Sequence, residues 1–211
     1  HGGADSARLL CVVILPVSGN QREYRVPVPR DTLAFEAARE ALLRRNQIGT
    51  SEGLSPVPNE SIPPTEIRRI SVPIYGMTTW GDLFSSRQAL AMSTLVRLVT
   101  GVRNTIAPMD PGLADAIATL LGLAVSRFAD ICNALCMWET SKTQVRHMFT
   151  RQAIGMLWDF AEPNIFADAA GNFAVTLSTM LEVLDNQPKS LGAGHVEQAS
   201  ATSHPLPHDA A

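Results

Sequence analysis

The chain has 211 residues, 45% of them hydrophobic and 18% charged, with a formal net charge of −3. That length suits one sizeable core or two small ones, and the apolar content excludes a disordered chain. The acidic balance excludes the strongly basic footprint of a free-standing nucleic-acid-binding module, although the charge is uneven: 12 of the 17 cations and 10 of the 20 acids fall by Asp110, leaving 5 and 10 beyond it.

Three cysteines, Cys11, Cys132 and Cys136, are an odd number without the spacing of a disulfide framework, so a reducing, cytoplasmic setting is expected. No run approaches the ~20 apolar residues of a membrane span, and no signal-peptide pattern is present. The chain opens at His1 as if cut from something longer.

In chain order, the apolar run LLCVVILPV at 9–17 predicts a buried strand, and Ser18-Gly19-Asn20 turns it into a second strand through Tyr24 and Val26. Asp31 or Thr32 can cap a helix running to about Arg45, with Leu33, Ala37, Ala38 and Leu42 inward and Arg44-Arg45 at the negative end of the helix dipole. Positions 47–64, rich in Pro, Ser, Gly and Asn, predict a linker or long loop, followed by a short extended stretch at 68–74.

Ser85 and Gln88 have the spacing of a capping box, opening a helix whose apolar face is Leu90, Leu95, Leu98, Val99 and Val102. Asp110 and Pro111 open a long central helix, with Leu113, Ile117, Leu120, Leu121, Ala124, Phe128, Ile131 and Leu135 at spacings of three and four. Ser141 and Gln144 repeat the capping-box pattern, predicting a helix with a break near Thr150 that Pro163 stops. A last helix is expected over 173–184, and the tail at 192–211 is polar with a short strand at 195–199. The expected class is α+β, predominantly helical: a small α/β part (1–46), a linker (47–67), a bundle of about four to five helices (68–187) and a tail (188–211).

Chemistry concentrates in 127–166, which holds two of the three Trp and two of the three Cys. Cys132 and Cys136 would lie one helical turn apart with His147 near in sequence, but zinc sites need a second ligand pair, so a buried inert pair and no metal are expected. There is no Gly-x-Ser-x-Gly elbow and no glycine-rich phosphate loop. Asp159 and Glu162 could hold a base or a metal, or cap a helix and pair with Arg146 or Arg151. Lys142 and Arg146 on one helix face, with Arg151 beyond, form a candidate phosphate-contacting stripe, and Trp138 and Trp158 flank it as stacking surfaces or packing anchors.

The blocks WGDLFSSRQALAM at 80–92, SRFADICNALCMW at 126–138 and VRHMFTRQAIGMLWDFAEPNIF at 145–166 resemble the large DUF1156-domain DNA methyltransferases, adenine-specific enzymes often found in bacterial anti-phage gene clusters. YRVP at 24–27 and ISVPIYGM at 70–77 fit the same pattern, so the resemblance covers nearly the whole chain. It implies a Rossmann-like catalytic domain that uses S-adenosylmethionine through a glycine-rich loop and an Asp-Pro-Pro-Tyr motif. Neither motif occurs here: the one Pro-Pro, Pro63-Pro64, lies between Ile62 and Thr65.

The tail at 195–211 looks like the strand and loop that lead into Asp-Pro-Pro-Tyr, so the chain resembles an internal fragment ending just before that motif. Ser200 would fall near the position that holds the cofactor adenosine, although the usual acidic residue is absent. The resemblance implies a helical insert that grips double-stranded DNA while the target adenine is turned out of the duplex, with Lys142, Arg146, Arg151 and Trp158 as contacts. It also implies partners in the rest of the methyltransferase chain and in other phage-defence proteins. A structural or protein-interaction module without DNA contact is the alternative, and catalysis by this chain alone is not expected.

Overall fold

The computed structural model describes residues 3–16, 21–48, 53–66, 68–150, 152–167, 169, 171–188, 198 and 200. The chain is α+β, with four α-helices and two small antiparallel sheets among the described residues.

β1 (Val12–Ile14) and β2 (Glu23–Arg25) pair antiparallel as expected, with Val13 opposite Tyr24, but β1 is not the buried strand expected, since Val13 is exposed and Val12 and Ile14 are half-buried; the expected turn at 18–20 lies outside the described residues. α1 runs Pro29–Ile48, two residues earlier than its acidic cap signal suggests, because proline is suited to a first helical turn. Asp31 then reaches back as acceptor for the Val28 N–H at 2.8 Å. Ala38 and Leu42 of the expected set face inward on α1, joined by Phe35 and Arg45, whereas Leu33 and Ala37 are exposed. Arg45 spans to α2, donating to the hydroxyls of Ser93 (2.9 Å) and Thr94 (2.7 Å).

Positions 53–85 wind through short 3-10 turns, one of them Val72–Tyr75 where an extended stretch was expected. Ile62 packs beneath with Val72, Met77, Leu83 and Leu135 as one core cluster. Gly81 lies so near Pro58 that a Cβ there would meet the Pro58 carbonyl oxygen at 2.5 Å. Only glycine permits that approach.

α2 (Ser86–Ile106) starts at the expected capping box, with Ser85 Oγ accepting the Gln88 N–H and Gln88 Oε1 accepting the Ser85 N–H. α3 (Pro111–Ala129) starts at Asp110, whose carboxylate accepts the Leu113 N–H at 2.9 Å. It stops six residues short of Leu135, and the turns after it bury Ile131, Cys132, Asn133, Ala134, Leu135 and Cys136. Cys132 and Cys136 therefore do not share a helix face. A second core cluster joins Phe128, Ile131, Cys132, Cys136 and Val145.

The helix expected from Ser141 is replaced by a β-hairpin, β3 (Trp138–Glu139) with β4 (Gln144–Val145), followed by irregular chain to Pro163. Trp138 opposite Val145 provides the aromatic and β-branched cross-strand pair that a helix would waste. α4 (Phe173–Asp185) closes the described fold, capped by Asn172. The strand expected at 195–199 falls outside the described residues apart from Gln198.

α2 packs on both α1 and α3, and α4 packs on α3, giving the order α1–α2–α3–α4. The expected bundle of about four to five helices is thus four helices arranged as an open row among the described residues. The core lies at one end of the row, under the start of α2 and the end of α3, and the distal parts of α2 and α3 project beyond it.

Candidate functional site

The three sequence blocks at 80–92, 126–138 and 145–166 meet in this basal core. The Ala134 N–H donates to the Leu83 carbonyl at 2.7 Å and the Ala161 N–H to the Cys136 carbonyl at 2.7 Å, so each block is held by another through its backbone. Side chains repeat the connection. Ser85 Oγ donates to Glu162 Oε2 at 2.9 Å, and Arg87 Nε stands 2.8 Å from Glu162 Oε1, an ion contact in which the N–H is not aligned on the oxygen. Glu162 thus pairs with Arg87 at the head of α2, and of its two expected partners Arg146 pairs with Glu139 while Arg151 lies outside the described residues. Asp159 is exposed.

Asp130 does similar work at the end of α3. Its carboxylate takes His147 Nδ1 at 3.0 Å and accepts the Phe149 N–H at 2.9 Å, while its carbonyl accepts the Met148 N–H. The aspartate is engaged on both carboxylate oxygens and holds the chain after β4 against α3.

Cys132 and Cys136 are both buried and free. Burial pushes the Cys132 thiol up to about 12, with the Glu162 carboxylate and Cys136 adding to it. Burial likewise raises Cys136 to about 11, against the opposing hydrogen bond from the Asn133 backbone. Neither is a thiolate nucleophile or ligand at neutral pH. Among the described residues no three His, Cys, Asp or Glu side chains converge as a metal site.

The candidate cations are redistributed by the β3–β4 hairpin. Lys142 lies exposed in its turn, and Arg146 follows β4 and pairs with Glu139 at 3.2 Å. They do not share a helix face, and Arg151 lies outside the described residues. Trp158 is 76% exposed and meets Tyr75 edge-on at 5.3 Å. Trp138 instead meets Tyr24 edge-on at 6.3 Å, joining the two hairpins.

A contributor that sequence reasoning missed is Arg22, whose Nε donates to the Thr143 carbonyl at 3.3 Å, beside Lys142. Arg22 and Tyr24 are two apart, the strand spacing that puts side chains on one face, and that alternation was the available signal. Arg22, Lys142, Arg146, Tyr24 and Trp138 thus form one cationic and aromatic patch across the two hairpins.

Two of the clefts among the described residues border this core. One of about 330 Å³ lies between α1, the 55–59 loop and the head of α2, with Asp82 and Arg39 in its wall. The other, of about 320 Å³, is bounded by Trp80, Phe84, Ser126, Asp130, Asn133 and Met148. In the walls of these clefts, Asp82 Oδ2 accepts the Thr78 and Thr79 N–H groups, and both Asp130 oxygens are engaged within the fold. Ser200 is exposed.

Comparison with protein families, with curated proteins and with solved structures finds no match for this chain.

Proposed function

We propose that this chain is the inserted, mainly helical region of an adenine-specific DNA methyltransferase of the DUF1156-domain kind, with the S-adenosylmethionine site and the methyl-transfer chemistry on other parts of that enzyme. The observation that carries the reading is the order and length of the resembling blocks at 80–92, 126–138 and 145–166. Their mutual packing supports a scaffold role, because such blocks depend on one another for the basal core.

Within that reading, the paired hairpins are the surface that meets the duplex. Lys142 is its exposed cation, Arg22 stands beside it, and Arg146 contributes less because Glu139 offsets its charge. Duplex DNA binding measured by fluorescence anisotropy across a salt series tests this. Neutralising one phosphate contact changes the log–log salt slope by about 0.9, so Lys142→Ala is expected to flatten the slope by roughly one and Arg146→Ala by less. Wild-type affinity and slope in a Lys142→Ala, Arg22→Ala double variant would sink the assignment.

A second reading, a protein-interaction module with no DNA contact, is favoured by the exposed apolar side chains of α2, α3 and α4. Hydrogen exchange of the complete enzyme with and without duplex separates the two: protection at 138–146 on adding DNA supports the first reading.

A further inference from the structure

Every described residue in the wall of the second cleft belongs to one of the three sequence blocks. Trp80 and Phe84 come from 80–92, Ser126 and Asp130 from 126–138, and Met148 and Phe149 from 145–166. Trp80, Phe84 and Met148 also rest on the first core cluster, so packing holds these walls in place before any ligand arrives. A preformed cleft of about 320 Å³, mostly apolar with a few fixed polar groups, has the size and make-up of a small-molecule site.

Asp130 is the one charged residue among the described walls. One carboxylate oxygen accepts the Phe149 N–H at 2.9 Å, the other meets His147 Nδ1 at 3.0 Å, and the side chain stays 27% exposed. An ionised carboxylate has about four acceptor sites, so two contacts aim it without exhausting it. The Phe149 hydrogen bond also ties the carboxylate to a residue whose ring is left largely exposed in the same wall. Ser126, exposed on α3, adds an uncharged hydroxyl.

The rings of Trp80, Phe84 and Phe149 and one carboxylate in a single cleft set its charge preference. Aromatic faces carry negative potential and attract cations, and a carboxylate reinforces that attraction while opposing anions. We propose that this cleft binds a small organic cation, an ammonium group carried on an aromatic body. The charge lies toward Asp130, and the body packs among Trp80, Phe84 and Phe149. The assignment goes beyond the methyltransferase reading and does not depend on DNA contact by the hairpins.

NMR titration of the isotope-labelled chain with benzyltrimethylammonium at pH 8 tests this, read at the Trp80 indole, the Phe149 amide and the Asn133 carboxamide. Saturable shifts at all of these are expected, with a dissociation constant on the order of 1 mM or tighter for a ligand of this size. Benzyl alcohol keeps the ring without the charge and should bind about tenfold more weakly, as should tetramethylammonium, which keeps the charge without the ring. Asp130→Asn retains an oxygen for the Phe149 N–H and removes the charge, and is expected to weaken cation binding about tenfold. Ser126→Arg, at an exposed position, should abolish cation binding and admit phenylacetate instead, a gain that a misfolded variant could not give. The proposal is overturned if the cation gives no saturable shift at the cleft, or if benzyl alcohol, phenylacetate or tetramethylammonium binds the wild type as tightly. Unchanged cation affinity in folded Asp130→Asn, or an unchanged preference in Ser126→Arg, overturns it equally. DNA binding by the hairpin patch is a separate measurement, and either result can stand without the other.

Discussion

A thiol loses its proton to water, and the interior around Cys132 and Cys136 excludes water, so both are held protonated. Cys11, exposed beside β1, is the accessible one of the three. At pH 8 a soluble disulfide reagent is expected to modify one thiol per folded chain and three after denaturation; rapid labelling of three in the folded protein would contradict the burial. The same shift sets a pH dependence. A group whose folded pKa is raised contributes stability that is complete below its unfolded value and is lost as pH rises above it. Cys132 therefore favours the fold up to about pH 9, and that contribution fades toward about 12. Thermal melts from pH 8 to 11 should show a falling Tm, with a shallower fall in Cys132→Ala. Equal slopes in the two proteins would show that the thiol is not responsible.

At the scale of elements, the helix starts were legible because the signals are local. Ser85 with Gln88 and Asp110 with Pro111 satisfy free N–H groups within four residues of chain, and α2 and α3 begin there. Ser141 with Gln144 carries the same letters and makes a hairpin, because Trp138 opposite Val145 and the packing of Val145 on Cys136 and Phe128 are tertiary gains that spacing does not encode. The end of α3 was illegible for a related reason: Ile131 and Leu135 continue the helical period, yet the contacts of Asp130 with His147 and Phe149 turn the chain beneath them.

The hairpin has a local cost at Thr143, which turns with φ at +50°, a region disfavoured for a β-branched residue. Thr143→Gly retains the carbonyl that Arg22 uses and removes the strain. It is expected to raise stability in urea titration by roughly 0.5–1 kcal/mol. A loss of similar size would mean that the threonine side chain holds the turn.

At the scale of the whole molecule, composition placed the chain correctly as α+β but could not reveal the open row. Helical periodicity reports that a face is apolar and says nothing about which neighbour covers it, so Leu98 and Val102 on α2 look like core in sequence and stand exposed in the fold. The candidate site was legible in part. Lys142 is an exposed cation, but its partner Arg22 is 120 residues away in sequence, and only the packing of the two hairpins brings them together.

The 53–66 segment illustrates the same limit. Its Pro, Ser and Asn content is that of a loop, whereas Ile62 is buried in the core and Gly81 is pressed against the Pro58 carbonyl. A methyl group at position 81 would sit 2.5 Å from that oxygen and 2.8 Å from Val57 Cγ1. The valine can rotate, but the carbonyl is backbone and can yield only by moving the segment, which also carries Ile62 into the core and pairs Ser61 with Thr79. Gly81→Ala is therefore expected to cost about 1–3 kcal/mol, a loss spread over the segment, with faster hydrogen exchange at Ile62 and Gly81. Gly101→Ala on α2, where a Cβ meets nothing within 4 Å, is the control and should stabilise the helix by up to about 1 kcal/mol. If the two alanines behaved alike, the close approach at Gly81 would have no energetic weight, and the segment would be a surface loop laid over a core that does not need it.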